Sequence, residues 1–178
     1  SILGGLLGGE ILSFGKFHTN EANAAVATNT QALVDIPMIR LQLPKGGFGR
    51  EYIALKMNIG NEGPFDFMVD SGLTTELITP HLQVTLGIQN GNKRLSGIAG
   101  GGETAMNPIV ELRDVSIDVP ANKPGPYLPK LNAVITDFPQ EHIDPAHDPV
   151  EGMVGIEFLS LFDVDLDFPQ NRIRLLEP

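Results

Sequence analysis

The sequence predicts an all-β protein with one or two short helices, on three observations. The chain contains Gly 20 and Pro 14, a content that favours short strands joined by turns over long helices. Tyr52 to Ile59 sets Ile53, Leu55, Met57 and Ile59 against Ala54, Lys56 and Asn58, the period of two that a half-buried strand requires. Turn clusters such as Pro44-Lys45-Gly46-Gly47, Asn61-Glu62-Gly63-Pro64 and Pro169-Gln170-Asn171 punctuate the runs between them.

At 178 residues the chain has room for one well-buried core and not for two full-sized domains. Residues 1–33 show no sustained period and end in the small, polar stretch Asn23 to Gln31, which reads as a flexible arm or linker; residues 34–178 are the expected folded domain. The apolar start, Ser1 to Gly9, is interrupted by Glu10, too early for a membrane span of about 20 residues. A first residue other than Met and the run Ala22 to Ala27 fit a processed targeting segment, and equally a trimmed tail.

The expected elements follow in order. Ile36 to Leu43 is a strand with one break in its alternation, and Tyr52 to Ile59 is the next. After the turn Asn61–Pro64, Phe65 to Val69 pairs back as a hairpin, leaving Asp70 just past a strand end. Leu77-Ile78 begins a strand, and Pro80 to Leu86 is a short helix with Pro at its first position and Gly87 at its end. Leu95 to Ile98 and Thr104 to Val119 are strands flanking a glycine turn; Pro120 to Pro129 is a loop; Leu131 to Ile135 is a buried strand; Asp137 to Glu151 is a polar surface loop. Gly152 to Gly155 leads into one or two helical turns over Ile156 to Phe162, and Val164 to Phe168 with Arg172 to Leu176 forms a closing hairpin.

A formal net charge of -10 without a Lys/Arg cluster repels phosphate backbones and excludes nucleic acid as the expected partner. With Cys 0 there is no disulfide framework, thiolate metal site or thiol nucleophile. The glycines from Gly97 to Gly102 lack the Lys-Ser/Thr of a phosphate cradle and run into Glu103. His142 and His147 near Asp144 and Asp148 lie in a proline-broken loop that fixes no ligand geometry, and Asp163, Asp165 and Asp167 alternate with apolar residues as an exposed strand face. No metal and no cofactor is expected.

Chemistry concentrates at Asp70. A carboxylate directly after an apolar strand, followed by Ser71, Gly72 and Thr74-Thr75, is presented on a tight loop where Gly72 allows close backbone approach and the hydroxyls of Ser71 and Thr74 can donate hydrogen bonds. Two such carboxylates around one water can share a proton, one acting as base and the other as acid; one alone cannot.

The segment Phe67-Met68-Val69-Asp70-Ser71-Gly72-Leu73-Thr74 resembles the apolar-apolar-Asp-Ser/Thr-Gly-small-Ser/Thr signature of retropepsin-like and pepsin-like aspartic proteases. Ser96 to Met106 corresponds to the flap of that family, and Met153 to Leu159 to its apolar-apolar-Gly segment and short helix, so the resemblance spans Ile36 to Leu176. It implies a single-lobe acid-protease fold, a closed β-barrel, and, because one Asp-Ser-Gly is present, a homodimer in catalysis.

The same resemblance implies site roles. Asp70 activates water, Ser71 locks the two loops together, Gly72 permits their approach and Thr74 supports the carboxylate. Ile98, Gly100, Gly101 and Gly102 belong to a flap, hinged also at Gly97, that closes over a polypeptide substrate. Position 73 departs from the pattern, with Leu where the family has a small residue. The expected function is an aspartic endopeptidase; the alternative is a non-catalytic binding module or subunit on the same fold. The arm, acidic surface and missing cysteines resemble organelle-imported proteins of photosynthetic cells, which makes a plastid the expected location.

Overall fold

The computed structural model describes residues 31–42, 51–89, 94–98, 104–121, 123, 125–126, 128–137, 140 and 147–178. The expected arm therefore lies outside the described residues except for positions 31–33. The fold is all-β, with two short helices among the described residues.

The expected strand Ile36 to Leu43 is two strands, β1 (Val34–Pro37) and β2 (Ile39–Gln42), which belong to different sheets. The break falls at Met38. Its N–H donates to the Asn171 carbonyl at 2.9 Å and its carbonyl accepts from the Asn171 side chain at 3.2 Å, so the chain crosses from one sheet to the other with its backbone groups satisfied.

β3 (Glu51–Ile59) and β4 (Glu62–Val69) form the expected hairpin, with a tighter turn than the sequence suggests. Ile59 faces Glu62 across Gly60-Asn61, and Gly60 supplies the left-handed φ of 61°. Gly63 and Pro64 were read as turn residues and lie inside β4 instead. They face an irregularity between Met57 and Ile59, which frees Pro64 from supplying a ladder N–H.

β5 (Glu76–Ile78) leads through the Thr79 cap into α1 (Pro80–Thr85), whose Leu82 N–H donates to Thr79 Oγ1 at 3.0 Å. β6 (Arg94–Ile98) and β7 (Thr104–Leu112) form a hairpin, and β8 (Val115–Ile117) returns to pair with β3. β9 (Leu131–Ile135) and β10 (Val150–Val154) follow; β10 takes up two residues, Val150 and Glu151, that were read as loop. After α2 (Ile156–Leu159), β11 (Asp163–Asp167) and β12 (Arg172–Leu176) close the chain.

The large sheet runs β2-β3-β4-β10-β5-β9-β7-β6, and β1-β12-β11 forms the small one. β4 and β10 run parallel, as do β5 and β9. Asp163, Asp165 and Asp167 are strand residues, and Arg174 holds Asp165 at 2.7 Å and Asp167 at 2.9 Å.

The strand that carries Asp70 is covered on both faces. Phe67 sits in the main core with Ile78, Leu82, Val154 and Phe158, and Met68 packs with Leu41, Ala54 and Val150 in a second cluster. Asp66 beside them is buried and accepts from Lys56 Nζ at 2.8 Å. Desolvation alone would lower the Lys56 amine, but the hydrogen bond and charge of Asp66, with Asp148 at 3.7 Å, hold it above its ordinary range.

Close packing of β4 on β10 depends on Gly152. A Cβ there would stand 2.2 Å from Phe67 Cε1 and 2.7 Å from the Leu77 carbonyl. Gly152→Ala is expected to destabilise the fold by about 1–3 kcal/mol through overpacking, measured by urea denaturation. Gly125→Ala, where the nearest atom would lie at 3.4 Å, is the control and should stay within about 0.5 kcal/mol.

Candidate active site

Asp70 leaves the end of β4 with its N–H bonded to the Val154 carbonyl of β10 at 3.0 Å. The chain then turns at once: the Leu73 N–H donates to the Asp70 carbonyl at 3.1 Å, and the Gly72 N–H donates to Asp70 Oδ1 at 2.9 Å. The side chain is exposed, and among the described residues nothing engages Oδ2. The result is a carboxylate with one oxygen oriented by a main-chain donor and the other open.

The loop is fastened from below by α2. The Ile156 N–H donates to the Leu73 carbonyl at 2.7 Å. Thr75 Oγ1 lies 3.0 Å from both the Asn132 carbonyl and Glu157 Oε2, and Asn132 Nδ2 donates to Glu157 Oε1 at 3.0 Å. Gly155 makes this approach possible, because a Cβ there would fall 2.5 Å from the Leu73 carbonyl oxygen and 3.0 Å from that of Thr75. The apolar-apolar-Gly sequence Met153-Val154-Gly155 is thus the strand that runs under the Asp70 loop.

Glu76, the first residue of β5, is fully buried. Its Oε1 accepts from the Phe158 N–H at 2.9 Å, while Oε2 is buried with no hydrogen-bond partner among the described residues. Desolvation is the main cause that raises its carboxyl above the ordinary range, and Glu157 adds to it; main-chain bonding at Glu76, Phe158 and Gly155 works against the rise. The sequence reading passed over Glu76, although a carboxylate that must point into a core six residues after Asp70 is visible once Leu77 and Ile78 are placed on a strand.

Of the other residues singled out from sequence, Ser71 and Thr74 are exposed, and their hydroxyls engage no described residue. The threonine tied into the loop's support is Thr75. Ile98 and Gly97 lie in β6, opposite Thr104 and Ala105; Gly100, Gly101 and Gly102 lie outside the described residues. So do His142 and Asp144, and Asp148 is an ion-pair partner of Lys56. Among the described residues no group of three or more His, Asp or Glu side chains is placed to hold a metal, and no helix is long and apolar enough to cross a membrane.

A cavity of about 320 Å³ lies elsewhere, lined by Thr79, Pro80, His81, Asp137, Gln140, Pro149 and Glu151. Its buried carboxylate, Glu151, has both oxygens committed, one to the Thr79 hydroxyl and one to His81 Nδ1 at 2.6 Å. No residue of the Asp70 loop lines it.

This arrangement, an exposed carboxylate on a glycine-supported loop with an apolar-apolar-Gly strand beneath it, defines an aspartic-protease-like domain. The aspartyl protease family matches residues 55–158, more than half of the chain. The chain belongs to that family. Comparison with curated proteins gave no match. Among solved structures, a retropepsin-like aspartic protease from Rickettsia conorii is similar at 15% identity, covering 81% of this chain and 94% of that one, with a TM-score of 0.48.

Gly155→Ala should displace the Leu73 carbonyl and break its bond from Ile156. The expected cost is about 1–3 kcal/mol in urea denaturation, with faster amide hydrogen exchange at Ile156 and Leu73 than in a second-site variant of equal stability loss.

Proposed function

We propose that the chain is an aspartic endopeptidase whose active site is completed by a second copy, each copy contributing one Asp70. The observation that carries this reading is the state of the Asp70 carboxylate: exposed, with Oδ1 fixed by the Gly72 N–H at 2.9 Å, on a loop anchored to β10 and α2. In this reading the partner carboxylate comes from a second copy, because residues 1–178 carry one Asp-Ser-Gly.

In the proposed reaction a water sits between the two carboxylates, one ionised and one protonated. The ionised group takes a proton from the water as its oxygen adds to the peptide carbonyl, and the protonated group gives its proton to the carbonyl oxygen. Collapse of the tetrahedral adduct then breaks the C–N bond, and a carboxyl proton passes to the leaving amine. In this reading Ser71, which is exposed, bonds across the paired loops. The β6–β7 hairpin is the flap in this reading, and an extended polypeptide lies against it as an added strand. Residues 34–178 form the working unit, with 1–33 an arm outside it.

The half-buried Leu73 favours a second reading, a binding module on the same fold, because a larger side chain next to Gly72 narrows the room for a facing loop. Light scattering and cleavage of a peptide library from acid to neutral pH separate the two. A dimer whose cleavage falls by roughly 10³-fold or more in Asp70→Asn is expected. A monomer, or no difference between native protein and variant, would leave the binding module.

A further inference from the structure

We propose that Glu76 is the positioning residue of the Asp70 loop, held as a neutral carboxylic acid, and that its ionisation sets an upper pH limit on the ordered site. Its consequence for catalysis rests on the function proposed above; its consequence for loop order does not.

Glu76 reaches the start of α2. Gly155 precedes this helix and offers it no side-chain cap, so a first-turn N–H would be left without a partner in a buried position. Glu76 Oε1, reaching in from β5, takes the Phe158 N–H at 2.9 Å. Together with Leu73 to Ile156 and Thr75 to Glu157, this makes three successive ties between the segment 73–76 and α2. The Glu76 tie is the innermost, and Phe158, whose N–H it holds, is fully buried against Phe162.

The second oxygen decides the protonation state. Oε2 is buried and has no partner among the described residues. An ionised carboxylate there would be a buried charge answered by main-chain N–H groups alone, with Oε2 unpaired, which is costly, whereas a neutral acid still offers Oε1 as an acceptor. The surroundings reinforce this. Ala133 of β9, opposite Glu76 in register, Val154 of β10 and Gly155 at the start of α2 carry no titratable side chain. The charged group facing it from α2 is Glu157, of the same sign. No cation from these elements pairs with it among the described residues. Desolvation, with Glu157, raises the carboxyl above its ordinary range.

The direction of the pH effect follows. With its folded value above the ordinary 4.5, Glu76 keeps a proton in the native state that the unfolded chain has already lost. Its contribution to stability is complete below about 4.5 and is lost as pH rises toward and through the folded value. Above that, the carboxylate leaves Phe158 or drags α2 with it, and the Asp70 loop loses its inner support.

Glu76→Gln tests this, since the amide keeps the acceptor and cannot ionise. The variant is expected to match the native protein in Tm near pH 4 and to exceed it by several degrees near pH 7, with amide protection at Phe158 and Gly72 no longer falling with pH. Glu76→Ala should be less stable than the native protein at pH 4, where the neutral acid is intact. Carbon-13 titration of the Glu76 carboxyl in the native protein should show it protonated at pH values where exposed glutamates are not. If peptide cleavage is present, its alkaline limb should move to higher pH in Glu76→Gln. Equal pH dependence of native and Gln proteins, a Gln variant less stable at pH 7, or an ordinary carboxyl titration would overturn the proposal. The stability, exchange and titration readouts stand whether or not the protein cleaves peptides.

Discussion

The site depends on one close contact: the end of β10 passing beneath the Asp70 loop. Asp70 donates its N–H to Val154, Leu73 accepts from Ile156, and Gly155 between them leaves 2.5 Å from its would-be Cβ to the Leu73 oxygen. A parallel pair of strands, covered on both faces by apolar side chains, resists the small shifts that would open this gap, because packed interiors transmit displacement instead of absorbing it. The carboxylate can therefore stand exposed on a loop and still be held in one orientation. Orientation of this kind, fixed before a substrate arrives, is what catalysis by a shared water demands.

Polar groups under the loop are used sparingly, and each has a geometric task. Glu157 gathers Thr75 and Asn132, which ties α2 to β9 as well as to the loop. Thr79 caps α1 and orients Glu151, fixing the far end of β5. Lys56 and Asp66 do the same for the hairpin β3–β4. These contacts place the strand that enters the loop and the strand that leaves it, and they sit where a purely apolar core would permit sliding along the strand axis.

Much of this was legible from the residues. Alternation over Tyr52 to Ile59 located β3, and Leu131 to Ile135 was recognised as a buried strand. Pro80 and Gly87 bounded α1 because the signals that start and stop a helix are local, while the Thr79 cap was not read. Asp70 was singled out because Phe67 to Thr74 resembles the aspartic-protease signature, whereas an Asp before Gly in a loop is by itself often only a backbone cap. The missed features are non-local. The switch of sheets at Met38 depends on Asn171, more than a hundred residues away. Pro64 can stand inside β4 because of an irregularity in its partner strand. Val150 reads as loop by composition and becomes strand by pairing with Asp66 of β4, and Glu151 follows it at the irregularity before Gly152. Glu76 places an ionisable side chain where a period-two pattern expects an apolar residue, and its helix partner lies 82 residues on.

The proposed active site is shared between two chains. Its most direct test is a covalently linked dimer in which one copy carries Asp70→Asn and the other is unchanged, assayed for peptide cleavage beside linked dimers with two native and two substituted copies. A single substituted copy is expected to silence the linked pair as completely as two. Retention of about half the activity would contradict it, because each chain would then hold a complete site of its own.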